Sequence, residues 1–250
     1  MHNRCEEALS RGRSVIMDAT NMNAKKRANF LREMPKDINR VCVIMATPFN
    51  ECYARDCSRA RKVGFEVLTK MVRSFEMPYY NEGWDHIEII HPESDVELIG
   101  NEHWEEECQF DQHNYHHTMT VGDHERTSAE YASQRGFGND IMIACYWHDC
   151  GKIHTQTGPD ESGDCHYYNH NNVSAYYFIT SWACKDLIGF RHYESVLKIA
   201  SLITWHMIPY QFHREQNIAN AVEQWCAKKG FTSDYAKCLM DLHECDTAGH

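Results

Sequence analysis

The residues best equipped for chemistry in this chain are histidines and aspartates. His148-Asp149-Cys-Gly-Lys152 closes an apolar stretch and runs straight into a glycine turn. Neighbouring residues on a helix point to different faces, so a His-Asp doublet can serve one centre only near a helix end or across two metals. Four more candidates lie at helix-scale intervals: His124 in GDHERTSAEYA, His170 in YYNHNNVSAYY, His206 in SLITWHMI and Asp246 in DLHECDTAG. A helical bundle can aim such side chains at a common centre. Neutral imidazole with carboxylate suits Mn, Fe, Co, Ni or Zn better than an all-oxygen magnesium site. A single helical histidine, taken alone, is more often a hydrogen-bonded structural residue than a ligand.

The elements that must position these residues are helical. Helices are predicted over 123–135, 140–148, 172–183, 193–204, 218–229 and 233–243, separated by glycine-bearing turns. The preceding stretch follows different logic. Cys5 to Leu9 reads as a helix end, Ser14 to Met17 and Val41 to Met45 as buried parallel strands, and Ala24 to Glu33 and Asn50 to Ala60 as helices. From Met77 to Asn101 the pattern weakens, with a short apolar run at Ile87 to Ile90. The expected architecture is an α/β segment over 1–105 followed by an all-α domain over 106–250, the boundary falling between Gly100 and Phe110.

Composition narrows the classes. Apolar residues make up 42% and charged residues 24% of the 250, which fits neither disorder nor collagen nor a coiled coil. The apolar runs are far shorter than the roughly 20 residues of a membrane span, so a cytoplasmic chain with no membrane partner is expected. Twelve scattered cysteines without a C-x-x-C pair suggest reduced thiols. A net charge of −11 argues against indiscriminate coating of nucleic acid. Of the 17 histidines, 16 follow residue 85. His113, His116 and His117 are open between substrate-facing and structural roles. His154, His166, His192, His213, His243 and His250 read as surface or core residues.

The ordered segments HHTMTVGDH, ACYWHDCGK, HYYNHNNVSA, ITWHM and LHECDTAG resemble the HD-domain metal-dependent phosphohydrolases, with the nearest likeness to HD domains of the tRNA nucleotidyltransferase type. The resemblance runs from about residue 110 onward. It implies one metal held by His124, His148, Asp149 and Asp246, a second available to His170 and His206, and a bridging Asp149. Asp149 and Lys152 would be the catalytic pair. A bound divalent ion lowers the pKa of its water from 15.7 to about 7, and a two-metal site also steadies the phosphoryl oxygens. Lys152, three residues beyond Asp149, would contact the phosphate; the plainer alternative is a solvated lysine past a helix end.

RSVIMDATNMNAKKRANF and CYARDCSRARKVGFEVLTKMVRSFEMP resemble a partial P-loop kinase fold of the polynucleotide-kinase-like group, over roughly residues 4 to 90. That likeness makes Asp18 the candidate base at the acceptor hydroxyl and Arg55, Arg59 and Arg61 candidate grips for ATP phosphates, although a solvated basic helix face explains the arginines equally well. The segment reads as truncated: G-x-x-x-x-G-K-[ST] is absent, so kinase activity is not expected. ATP would serve only with a missing amino-terminal P-loop segment supplied as partner. Fusions of these two types resemble RNA end-healing enzymes, which implies phosphoester substrates of nucleotides or RNA ends (3′-phosphate or 2′,3′-cyclic phosphate). The alternative is a non-catalytic nucleic-acid or nucleotide binding module with a degenerate kinase half.

Overall fold

Alternating side chains build the small sheet. The structure, a computed structural model, describes residues 2–92, 102–114, 118–190 and 192–249. His116, His117 and His250 lie outside the described residues. In β1 (Val41–Met45) and β2 (His86–Ile90), Ile44, Ile87 and Ile89 turn inward and are buried. The strands pair in parallel, from Val41 opposite His86 to Met45 opposite Ile90. Around them lie α1 (His2–Ser10), α2 (Ala24–Glu33), α3 (Phe49–Ser58) and α4 (Phe65–Arg73). The Asn23 side chain caps α2 by accepting from Lys26 N. Arg27 then ties that helix down: buried, it donates twice to the Glu82 carboxylate, at 2.8 and 2.6 Å, and once each to the carbonyls of Asn21 and Glu76.

Two expectations for this half are corrected. Ser14 to Met17 forms no strand, and Ile16 is 94% exposed. An apolar run becomes a strand only beside a hydrogen-bonding neighbour, and among the described residues the pairing of β1 is with β2. Nor is β1 buried on both faces, because Val41, Val43 and Met45 are exposed on the side away from the core. A groove of about 880 Å³ therefore runs between the Gly12–Met22 stretch and β1.

Beyond these lie α5 (Glu102–Gln109), which crosses the expected boundary, α6 (Val121–Arg135), α7 (Asn139–Trp147), α8 (His170–Ile179), α9 (Trp182–Gly189), α10 (Tyr193–Trp205), α11 (Ile218–Lys229) and α12 (Ser233–Ala248). Short 3-10 segments follow α7 at Cys150–His154 and α10 at Pro209–Phe212. The single helix expected over 172–183 is two helices. Ser181 adopts extended backbone and accepts from Cys184 N, so its side chain caps a new helix at the break. Among the described residues, no helix is long and apolar enough to cross a membrane. All twelve cysteines are free, and seven are buried.

The two halves share one core. Ile44, Phe75, Met77 and Ile87 belong to the same buried cluster as Tyr176, Phe178, Ile179, Leu197 and Leu202. Phe75 meets Tyr176 edge-on at 6.0 Å, and the Tyr176 hydroxyl donates to the Thr47 carbonyl at 2.5 Å.

Candidate metal centre

Helix ends carry the centre. His124 sits in the first turn of α6, whose N-cap Thr120 accepts from Asp123 N. His148 ends α7, and Asp149, with φ −111° and ψ −6°, begins the turn into the 3-10 segment. The change from α-helix to 3-10 segment at this point lets both members of the doublet reach one place. His170 opens α8, His206 closes α10, and Asp246 lies near the end of α12. All six are buried.

A shared device orients the four imidazoles. Each Nδ1 faces a backbone carbonyl: Gly249 at 3.1 Å for His124, and Cys145, Tyr167 and Ile203 at 2.8 Å for His148, His170 and His206. An N–H at Nδ1 satisfies that acceptor and leaves the lone pair of Nε2 facing inward. The inward nitrogens meet in pairs, His124 with His148 and His170 with His206, both at 3.2 Å. Two lone pairs at that separation repel unless a cation lies between them or one ring takes a proton.

The carboxylates complete two groups. His124, His148 and Asp246 form one and Asp149, His170 and His206 the other, each with donor atoms mutually within 4.8 Å. Asp246 Oδ1 lies 3.0 Å from His124 Nε2 and 3.4 Å from His148 Nε2. Asp149 spans both groups. Its Oδ2 is 3.6 and 3.7 Å from His124 and His148, and its Oδ1 is 3.1 and 3.7 Å from His170 and His206. Four imidazoles and two carboxylates, with tautomers fixed from behind, are a donor set that fits divalent transition ions.

Electrostatics agree with that fit. Burial pulls the His148 pKa down, but the Asp149 and Asp246 carboxylates outweigh it and raise it to about 9. Burial and the charges of His148 and His170 push His206 down to about 3. Against burial, which alone would raise them, Asp149 is held well below the usual carboxylate range chiefly by Lys152, and Asp246 chiefly by His148. Both carboxylates therefore stay ionised although buried, which keeps their oxygens available to a cation.

Lys152 is not a solvated lysine. It is buried, with Nζ 2.5 Å from Asp149 Oδ2 and 2.7 Å from Gln112 Oε1. Gln112 is itself fixed through its donation to the Met119 carbonyl at 3.1 Å. Sequence reasoning missed Gln112, and with it Tyr210, whose hydroxyl donates to Asp246 Oδ2 at 2.9 Å, and Glu125, which accepts from Asp149 N at 3.0 Å. Two glycines permit the close approaches. A Cβ at Gly151 would strike the His170 carbonyl and Ser174, and one at Gly249 would strike Ser128 and crowd His124 Nδ1. His113 stands apart, its side chain mostly exposed and its ring 3.4 Å from Asp111.

The amino-terminal candidates do not converge in this way. Asp18 lies in the exposed stretch before α2. Arg55 pairs with Glu51 at 2.5 Å and Arg59 with Asp56 at 2.8 Å, while Arg61 is exposed. Asp56 also accepts from Val63 N and Gly64 N, so it closes the loop into α4. No hydrogen bond or ion pair among the described residues joins Asp18 to the three arginines.

Comparison with known proteins bears on this amino-terminal part. A family model described as an AAA domain matches residues 1–78. The chain is 26% identical over 102 residues to Transcription factor bHLH140 of Arabidopsis thaliana, across 38% of this chain and 11% of that protein. It is 32% identical over 81 residues to L-seryl-tRNA(Sec) kinase of Methanococcus maripaludis, across 32% of each. The chain thus spans 11% and 32% of the lengths of these relatives. No solved structure matches. The amino-terminal segment is similar to an AAA, kinase-like domain, and the matched family model ends before the first helix that carries a candidate ligand.

Proposed function

We propose that the chain is a metal-dependent phosphohydrolase of the HD type, acting on phosphoesters of nucleotides or RNA ends. One observation carries the reading: four buried histidines, each anchored at Nδ1 by a backbone carbonyl, turn Nε2 toward two carboxylates in two groups, and Asp149 of the second group also faces the histidines of the first at 3.6 and 3.7 Å. Hydrogen-bonded core histidines have no reason to present paired lone pairs to one another. When bound, two divalent ions supply a nucleophile at neutral pH and neutralise phosphoryl oxygens. The chain's own residues do the rest. Asp149 offers one oxygen to each group, Tyr210 and Glu125 hold Asp246 and the Asp149 backbone in place, and Lys152 brings a fixed positive charge to the edge of the centre.

RNA ends as substrates, whether 3′-phosphate or 2′,3′-cyclic phosphate, draw support from the amino-terminal likeness, since one relative is named as a kinase of an aminoacylated tRNA. The test is direct. The chain is stripped of metal, reloaded with Mn or Co, and offered an aryl phosphodiester, a 2′,3′-cyclic nucleotide and a 3′-phosphorylated oligonucleotide. Metal-dependent turnover that Asp149→Asn abolishes is expected. Stoichiometric absence of bound metal, or turnover unchanged in Asp149→Asn, would favour the alternative, a nucleotide or nucleic-acid binding module.

A further inference from the structure

The two metal groups are braced from different places. Around His124, His148 and Asp246 the supports come from the helical half: the Gly249 carbonyl, the Tyr210 hydroxyl and the Cys145 carbonyl. The group of Asp149, His170 and His206 sits on three separate elements, namely the turn after α7, the start of α8 and the end of α10. Arg73, the last residue of α4 in the amino-terminal half, is bonded to two of them and reaches the third through a short relay.

Its Nη2 donates to the His154 carbonyl at 3.0 Å, at the end of the 3-10 segment that starts directly after Asp149 and carries Lys152. Its own carbonyl accepts from Asn172 Nδ2 at 2.9 Å, two residues beyond His170 on α8. The adjacent Asn171 donates to Asn172 Oδ1 at 3.3 Å and to the Thr204 carbonyl at 2.5 Å, two residues before His206 on α10. His154 also stacks on Tyr177 of α8 at 4.5 Å, so the elements that Arg73 spans are packed on each other. The Arg73 side chain thus ties down the segment after Asp149, and its main-chain carbonyl anchors the Asn172–Asn171 relay that runs from α8 to α10.

We propose that Arg73 is a positioning residue for the second metal, so that occupancy of the Asp149, His170 and His206 group depends on the amino-terminal half. This rests on the reading of the cluster as a two-metal centre. Loss of a residue that orients metal ligands typically weakens the ion about 10- to 100-fold. Arg73→Ala should therefore lose affinity for one of two ions by that factor, while the other, which shares only the Asp149 carboxylate with it, weakens less. Arg73→Lys, which keeps a donor for the His154 carbonyl, should recover most of the affinity.

The experiment titrates Co(II) into the metal-free full chain and its variants, following the visible absorption of the bound ion and competition with a chelator. Two ions in the parent chain, one selectively weakened in Arg73→Ala and restored in Arg73→Lys, is the expected result. Equal weakening of both ions, no change in either, or a parent chain that binds a single ion would overturn the proposal and leave the phosphohydrolase reading standing. A parent chain that binds no divalent ion would overturn both. Should Arg73→Ala fail to fold, as judged by circular dichroism, Asn172→Ala removes the other link, the bond to the Arg73 main-chain carbonyl that Arg73→Ala leaves in place, and should likewise weaken one ion selectively.

Discussion

Replacing Lys152 with methionine separates what this side chain does for the fold from what it does for the reaction. Nζ lies 2.5 Å from Asp149 Oδ2, and both groups are buried. At an effective dielectric of about 20, that separation corresponds to about 7 kcal/mol of gross attraction. Desolvation of the two charges takes back much of it, yet removing one partner of such a buried pair still costs about 3 to 5 kcal/mol. The metal-free variant should therefore melt well below the parent, with the orphaned Gln112 Oε1 adding to the loss. Divalent ions change the balance, because they take over the Asp149 charge that Lys152 no longer neutralises. Metal should then rescue more stability in Lys152→Met than in the parent, and the ions should bind at least as tightly. The rate should still fall about 10²- to 10³-fold, the usual cost of losing one electrostatic contact to developing charge. Melting with and without Mn, beside hydrolysis of an aryl phosphodiester, reads all three effects. Loss of bound metal, an unchanged rate, or the same destabilisation with and without metal would refute the reasoning.

Three further outcomes are expected. His124→Ala and Asp246→Ala, which delete donors of the first group, should lose metal and hydrolysis together, as elemental analysis beside the same assay will show. Labelled ATP with a 5′-hydroxyl oligonucleotide should yield no phosphate transfer by this chain; transfer that Asp18→Ala abolishes would contradict the expectation drawn from the absent G-x-x-x-x-G-K-[ST]. Burial raises the Glu107 carboxyl from about 4.5 to about 8, beside Glu125. Its folded form keeps a proton that the unfolded chain releases near 4.5, so its contribution is complete below that pH and is lost as pH climbs toward 8. Glu107→Gln, which stays neutral, should flatten the decline in unfolding free energy, read from denaturant titrations between pH 5 and pH 8, by on the order of a few kcal/mol; an unchanged slope would rule out this carboxyl as its source.

Where the chain betrays its structure, the signal is local. The α2 and β1 limits and the starts of α10, α11 and α12 follow from apolar periodicity and capping residues within a few positions. The convergence of the candidate ligands has the same kind of signal, since His148, His170 and His206 sit at the ends of apolar helices where a polar ring stands out. The break at Ser181 carries a local signal too, because a serine whose hydroxyl accepts from the N–H three residues on is an ordinary N-cap, but the apolar run on both sides masks it. Ser14 to Met17 misled because an apolar run carries no information about whether a neighbouring strand exists.

The supports of the centre were hidden for a different reason. Nδ1 of each histidine is satisfied by a main-chain carbonyl, and every residue type carries one, so the sequence gains no mark from it. Gln112 lies 40 residues from Lys152, and Tyr210 lies 36 from Asp246. Arg73 lies at the far end of the stretch whose resemblance singles out Arg55, Arg59 and Arg61, and nothing local marks it; its guanidinium and carbonyl face the helical half. The shared core makes such a contact durable: Phe75, two residues on, is buried against Tyr176, so α4 cannot leave the helical half without exposing both rings. A tie made beside buried aromatic packing holds its geometry at little further entropic cost, whereas the same hydrogen bonds on a mobile linker would have to order the chain first. That difference is why the amino-terminal half, whatever its own chemistry, belongs to the physical description of the His/Asp cluster.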